Sequence, residues 1–362
     1  MIRRRVNRDT KHILYSNMPG EFKSVLEDGP IEGEPLVSVC VITYNHGKYI
    51  RQCLDGILMQ KVNFPYEILI HDDASPDDTA DIIREYWGKY PTVIKPILRE
   101  ENQYSKGVDV SRFNFDRAKA KYIALCEGDD YWTDEGKLQM QVDFLERHGE
   151  YVGTAHNVRV VDENGIDVPD EINQYPLYEI HRYTINDAEY MRLSGQSASL
   201  VSRNFEILCS KEILVAYYRC RGIGDRKLTI LLSLLGDIHC FSETMSAYRY
   251  VTTSGTSWTA RTKGKNLSNI MNNYYLDMMD FAKQHFSTHL HMEPYVLVNL
   301  LGSIKRVIIT RKSDDCKVCW EIVSSSRVWK VVFRSFVMSP FDFLKRCYRI
   351  IWKLPQTSAV TY

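Results

Sequence analysis

Three times within the first 130 residues, a short apolar run gives way to a polar loop rich in carboxylates, and helical spacing follows the loop. Leu36-Val37-Ser38-Val39-Cys40-Val41-Ile42 leads into Thr43-Tyr44-Asn45-His46-Gly47, after which Ile50, Cys53, Leu54, Ile57 and Leu58 recur at helical spacing. Tyr66 to Ile70 leads into His71 to Asp78, and Thr79 to Trp87 reads as a helix with Ile82, Ile83, Tyr86 and Trp87 on its inner face. Tyr122-Ile123-Ala124-Leu125 runs into Cys126-Glu127-Gly128-Asp129-Asp130-Tyr131-Trp132. Val93 to Leu98 adds a further strand. Alternation of this kind builds an α/β fold: a mainly parallel sheet wound with helices, whose ligands collect beyond the carboxyl ends of the strands.

A strand cannot cheaply bury three carboxylates, so Glu127, Asp129 and Asp130 belong where the chain leaves the sheet, facing solvent or a cation. Hard cations such as Mg2+ and Mn2+ take oxygen ligands and reach proteins through one or two carboxylates plus substrate phosphates. Gly128 lets the backbone approach such a ligand closely. One of the acids suffices to cap the following turn at Thr133 to Gly136. The first loop places a helix N-terminus, attractive to phosphate, beside the ring face of Tyr44; it also reads as an ordinary βα turn capped by Asn45. In the second loop Asp77 and Asp78 are explained as helix caps. Asp72 and Asp73 are not, and a carboxylate at a strand's end can accept the imide N–H of uracil or a ribose hydroxyl.

The chain has 362 residues, 25% charged and 44% hydrophobic, enough for one large core or two unequal ones. Its formal net charge of zero argues against nucleic acid as a partner. Nine scattered cysteines, an odd count, suit reduced, buried thiols and a cytoplasmic location, and the lone pair Cys316 and Cys319 is assigned no role. Basic Met1 to Arg5 is followed by polar residues, unlike a secretory signal, and nowhere do 18 apolar residues run together.

Breakers at Pro19-Gly20, Gly29-Pro30 and Gly33 mark residues 1–34 as a surface leader, and the regular fold is expected to start at Pro35. Residues 35–146 form a first half. A helix with Leu138, Val142 and Leu145 closes it, and a second, mixed half over 147–263 contains an edge strand from Thr154 to Val161 turning at Glu163-Asn164-Gly165, the segment Gln196 to Val201, a helix from Lys227 to Leu235 and a strand from Ile238 to Phe241. From 264 to 362 only helical patterns remain, such as Ile270 to His285 and Tyr295 to Ile309. The segment 327–354 interleaves seven aromatic residues with seven Lys or Arg against one Asp. That mixture suits an interfacial helix pair on an anionic membrane, and equally a helical cap packed on the main domain.

Together, Val39 to Asn45, Ile70 to Ser75 and Glu127 to Trp132 with Lys137-Leu138 resemble the nucleotide-binding half of a family 2 glycosyltransferase of GT-A fold, of the bacterial surface-polysaccharide type. The resemblance runs from Pro35 to about Glu146. It implies that Thr43, Tyr44, Asn45, Asp72, Asp73, Glu127 and Gly128 hold the nucleotide, usually a uridine, and that Glu127-Gly128-Asp129 stands at the family's DXD position with Asp129 as the metal ligand. Asp130 and Trp132 follow as donor or acceptor contacts. Here glutamate stands where the family has its first aspartate. The resemblance continues at Gly224-Asp225, whose aspartate it makes the general base, and at Tyr248-Arg249, where Arg249 would bring positive charge to the diphosphate. The family's histidine after that pair is absent.

The implied function is inverting transfer of a sugar from a nucleotide-sugar donor, with Mn2+ or Mg2+, to a hydroxyl of a glycan or lipid-linked acceptor at the cytoplasmic face of a membrane. One rival is a sugar-phosphate nucleotidyltransferase, which would carry a Gly-rich loop with Arg and Lys after the first strand. Another is a noncatalytic module binding nucleotide-sugars or membranes.

Overall fold

The computed structural model describes residues 22–169, 179, 181–251, 262, 264–338 and 340–353. Strand β1 (Val37–Thr43) is hydrogen-bonded in parallel to β2 (Tyr66–Asp72) on one side and to β4 (Tyr122–Glu127) on the other. β3 (Ile94–Leu98) extends the parallel set beyond β2. The chain thus builds outward through β2 and β3, then returns to the far side of β1, and this reversal creates the crevice where open α/β sheets bind ligands. Register decides what meets there: Thr43 lies opposite Asp72, and Ile42 lies opposite both His71 and Glu127. All three polar loops therefore leave the sheet at one level.

Side-chain alternation divides the first half between two cores. Val37, Val39, Val41, Ile68, Ile70, Tyr122 and Ala124 point to one face, where helices α1 (Ile50–Leu58) and α2 (Thr79–Lys89) cover them. Cys40, Leu69 and Ile123 point to the other. Ile50, Leu54, Ile57 and Leu58 are fully buried, and each aliphatic side chain so placed contributes roughly 1.5–3 kcal/mol. Trp87, expected on the inner face of α2, is instead 47% exposed, because Ile82, Ile83 and Tyr86 already fill that stripe.

The second half continues the same sheet. β5 (Tyr131–Trp132), β6 (Tyr151–Val161), β7 (His181–Tyr183), β8 (Val201–Arg203) and β9 (Asp237–Arg249) give the order β3-β2-β1-β4-β8-β6-β9-β5, with β7 also on β9. β6 is not the edge strand its sequence suggested. It lies between β8 and β9, and its residues from Val152 to Val158 are all buried. β9 runs far beyond Phe241, to Arg249. Helix α3 (Lys137–Arg147) follows β5, and α4 (Gly224–Leu235) precedes β9.

Five successive helices close the described chain: α5 (Ser268–Phe286), α6 (Glu293–Thr310), α7 (Ser313–Val323), α8 (Ser326–Met338) and α9 (Pro340–Lys353). Met278, Phe281, Ala282 and Val296 join one core with Leu231 and Ile238 of the main domain, so these helices are packed onto it. At the other end, residues 22–34 are not merely a surface leader: Lys23 bridges to Val62, and Val25, in a short helix capped by Ser24, is buried in the first core. Residues 1–21 lie outside the described residues. No described helix is long and apolar enough to cross a membrane.

Candidate active site

The loop after β1 is turned by Asn45 at φ 59°, a left-handed conformation that asparagine tolerates better than most residues. Its backbone N–H groups were expected to face phosphate. The structure assigns them elsewhere: Asn45 N–H donates to Ser75 Oγ at 2.8 Å, His46 N–H to Thr79 Oγ1 at 2.9 Å and Gly47 N–H to Asp77 Oδ2 at 2.8 Å. These bonds fasten the first loop to the second. Asp77 also accepts from the Thr79 N–H at 3.1 Å, so it caps α2 while tying the loops together.

Asp72 and Asp73 sit at the carboxyl end of β2 and are almost completely buried. Asp72 accepts from the Ser75 N–H at 3.2 Å and from the Ser75 hydroxyl. Asp73 accepts from the backbone N–H groups of Gln103 at 2.8 Å and Tyr104 at 2.9 Å. Both carboxylates therefore shape the loops that frame the crevice, and burial raises the Asp72 carboxyl above its ordinary range.

The acidic turn is built around Gly128, whose N–H donates to Ile42 O at 2.9 Å. A Cβ there would lie 2.7 Å from Thr43 Oγ1 and 2.9 Å from His46 Nδ1, so only glycine lets the two loops touch. Thr43 Oγ1 and His46 Nδ1 are themselves buried without hydrogen-bond partners. Such orphaned polar atoms, rare in folded proteins, are expected where a ligand completes the site. Glu127, Asp129 and Asp130 each bring an oxygen within 4.8 Å of the others. Burial, then the charges of Asp129 and Asp225, push the Glu127 carboxyl up to about 8, although Ser197 hydrogen-bonds it. His46 Nε2 lies 3.6 Å from Asp129 Oδ2. Among the described residues no Lys or Arg pairs with the Glu127 or Asp129 carboxylate.

Of three residues expected to touch donor or acceptor, Asp130 and Arg249 are committed internally, whereas Trp132 is buried with its indole N–H left without a hydrogen-bond partner. Asp130 is buried and accepts from Gln196 Nε2 at 2.6 Å and from the Arg249 N–H at 2.8 Å. Trp132 is 1% exposed, its ring covered by Lys137 Nζ at 4.0 Å and its backbone pressed against α1, where a Cβ on Gly56 would lie 2.7 Å from the Trp132 carbonyl oxygen. Arg249 donates to the carbonyls of Asp129 at 2.9 Å, Asp162 at 3.4 Å and Glu163 at 3.3 Å, and to Gln52 Oε1 at 2.7 Å. Its guanidinium also lies over the rings of Tyr49 and Tyr131. A guanidinium so engaged braces the acidic turn and has little left to offer a diphosphate.

Asp225, in the first turn of α4, is close enough to Glu127 for their charges to interact across the crevice. It is partly exposed and, among the described residues, its carboxylate accepts from the neighbouring Arg226 N–H at 2.7 Å. His46, Gln196 and Ser197 carried no role in the sequence reading. His46 was legible, since it lies in the loop at the point where strand order reverses. Gln196 and Ser197 were not, because they reach the acidic turn only through the fold. An all-oxygen carboxylate set fits a hard divalent cation, and Asp129 and Glu127, whose oxygens the chain leaves least occupied, are the residues that could hold it.

A mixed, mainly parallel sheet whose crevice gathers loops from β1, β2 and β4 around a carboxylate turn is an α/β fold of GT-A type. Residues 38–208 match glycosyl transferase family 2. An uncharacterized protein of Mycobacterium tuberculosis is 36% identical over 218 residues, which take in 59% of this chain and 58% of that protein. TuaG of Bacillus subtilis, named for teichuronic acid biosynthesis, is 33% identical over 136 residues, 37% of this chain and 52% of TuaG. The chain thus spans somewhat over half of these relatives' lengths. Among solved structures, S. aureus TarS 1-349 superposes with TM-score 0.55 at 15% identity, covering 90% of this chain and 92% of that one, and its UDP complex does so with TM-score 0.54 at 16% identity and the same coverage.

Proposed function

We propose that the protein is an inverting, metal-dependent glycosyltransferase that moves a sugar from a nucleotide-sugar, a UDP-sugar, to a hydroxyl of a glycan or lipid-linked acceptor in surface polysaccharide synthesis. The observation that carries this reading is the acidic turn: Glu127, Asp129 and Asp130 bring carboxylate oxygens within 4.8 Å of one another, the charge of Asp225 also bears on Glu127, and among the described residues no Lys or Arg pairs with the Glu127 or Asp129 carboxylate. A nucleotide-sugar diphosphate chelated to a cation supplies the missing positive charge. TarS, solved with UDP, and TuaG, named for teichuronic acid biosynthesis, support the choice of uridine donor and polysaccharide product.

Asp129 and Glu127 would hold a Mn2+ or Mg2+ ion, which when bound stabilises charge building on the departing nucleoside diphosphate. Thr43 and His46, with orphaned polar atoms facing Gly128, line the same crevice, and Tyr44 and Asn45 at its rim complete the nucleoside side. Asp225 removes the proton from the attacking acceptor hydroxyl, which approaches the anomeric carbon from the face opposite the diphosphate and inverts it. Asp72 and Asp73 fix the loops against which the nucleoside lies.

The test is release of nucleoside diphosphate from a panel of UDP-, GDP- and dTDP-sugars with and without manganese. Manganese-dependent release of UDP is expected. Calorimetric binding of UDP without any turnover, across acceptor glycans and lipids, would mark a noncatalytic module instead, and neither binding nor release would remove the proposal altogether.

A further inference from the structure

Helix α8 shows two apolar faces where a surface helix needs one. Val328 is buried, and Val331 and Val332 pack against the main core. The opposite side carries Trp329, Phe333 and Val337 at four-residue spacing, and these are 48%, 70% and 60% exposed. Trp329 satisfies its indole N–H on the Val323 carbonyl at 2.6 Å, which fixes the ring at the surface with no polar atom left to justify its exposure. Beside this ridge lie Lys330 and Arg334, both exposed and outside every described ion pair. On α9 the arrangement recurs: Phe343 and Cys347 are buried, whereas Leu344 is 52% exposed beside exposed Lys345. Arg327, by contrast, is held by Asp277 at 2.9 Å and Asp280 at 2.7 Å and does not belong to the surface set.

We propose that the outer face of α8 and α9 docks in the plane of an anionic phospholipid bilayer, with Trp329, Phe333, Val337 and Leu344 entering the headgroup boundary and Lys330, Arg334 and Lys345 meeting lipid phosphates. Charge complementarity selects this occupant. A second copy of the same chain would bring cations against cations across a two-fold interface, whereas an anionic surface answers both the apolar ridge and the flanking charge. The helices lie on the membrane and do not span it, since neither is long and apolar enough. The inner face of α8 is already packed into the main core and α9 is packed against α6 and α8, so docking requires no unfolding.

The experiment is sedimentation of the full chain with vesicles of phosphatidylcholine alone or with phosphatidylglycerol added, together with tryptophan emission. Binding only to the anionic vesicles, weakened by salt and accompanied by a blue shift, is expected. K330E/R334E should lower partitioning by about tenfold or more, and W329S/F333S should abolish the blue shift, both with unchanged circular dichroism and UDP binding. Equal binding to neutral vesicles, or W329S/F333S acting only on oligomeric state in light scattering, would overturn the proposal. Because UDP binding is measured alongside, failure here is distinct from failure of the glycosyltransferase reading.

Discussion

Arg249 holds Asp129 by its backbone carbonyl, at 2.9 Å through Nε, and leaves the Asp129 carboxylate free. The same residue's N–H holds Asp130 at 2.8 Å, so one arginine fixes the path of the acidic turn without neutralising the group that would meet a cation. Replacing it with lysine should fail to restore function, because a single ammonium cannot bond four separated oxygens. Arg249→Lys is expected to lose about 2–4 kcal/mol in urea unfolding and to weaken manganese-dependent UDP binding, measured by calorimetry. Wild-type stability in that variant would deny the bracing role.

Gly128→Ala should act differently. The new methyl would meet Thr43 and His46 below 3 Å, so the turn must lift away from the first loop. Overpacking of this kind costs about 1–3 kcal/mol. UDP release should fall more than tenfold if the loops must touch, a roughly 1.4 kcal/mol rise in barrier being enough.

Asp225→Asn and Asp129→Ala separate the two carboxylate roles. The first should lower turnover by about 10²–10⁴ while leaving UDP affinity within about twofold, and the second should abolish the manganese dependence of UDP binding. Should Asp225→Asn turn over like the wild type with acceptor present, the proton must leave by another group.

Lys137 carries a pH signature. It is fully buried, donates to Gln141 Oε1 at 2.9 Å and lies over Trp132, and burial pushes its ammonium down to about 7 from an ordinary 10.5. Between those values the unfolded chain binds the extra proton, so this residue's contribution raises stability as pH increases from about 7 to 10, and its full cost remains below 7. The difference between wild type and Lys137→Met, from urea melts across this window, should change by up to about 1.4 kcal/mol per pH unit. Parallel curves would show that the amine stays charged inside.

The parallel half was legible because its strands alternate apolar residues at period two and its loops concentrate acids at strand ends; Val39 and Asp129 announce themselves. What escaped was everything decided by pairing across the chain. β6 read as an edge strand running into the turn at Glu163-Asn164-Gly165, yet pairing with β8 and β9 buries its centre. Asp130, Trp132 and Arg249 read as ligand contacts because polar and aromatic residues near an acidic turn suit a sugar. In the fold Asp130 and Arg249 meet Gln196 and Gln52, which lie 66 and 197 residues away and which only the fold makes neighbours, while Lys137 covers Trp132 locally. His46 was open to view in the loop after β1, although its approach to Gly128 belongs to the fold.

The two residues of β5 pair with Ser246 and Ala247 of β9. The carboxylate turn is thus slung between β4 and a strand finished more than a hundred residues later. A fragment cut near residue 150 would keep every residue that reads as nucleotide-binding and lose the far mooring of the loop between them. Such a half-length piece should neither chelate manganese nor protect UDP, because one continuous sheet runs through both the first half and the second, mixed half of the chain.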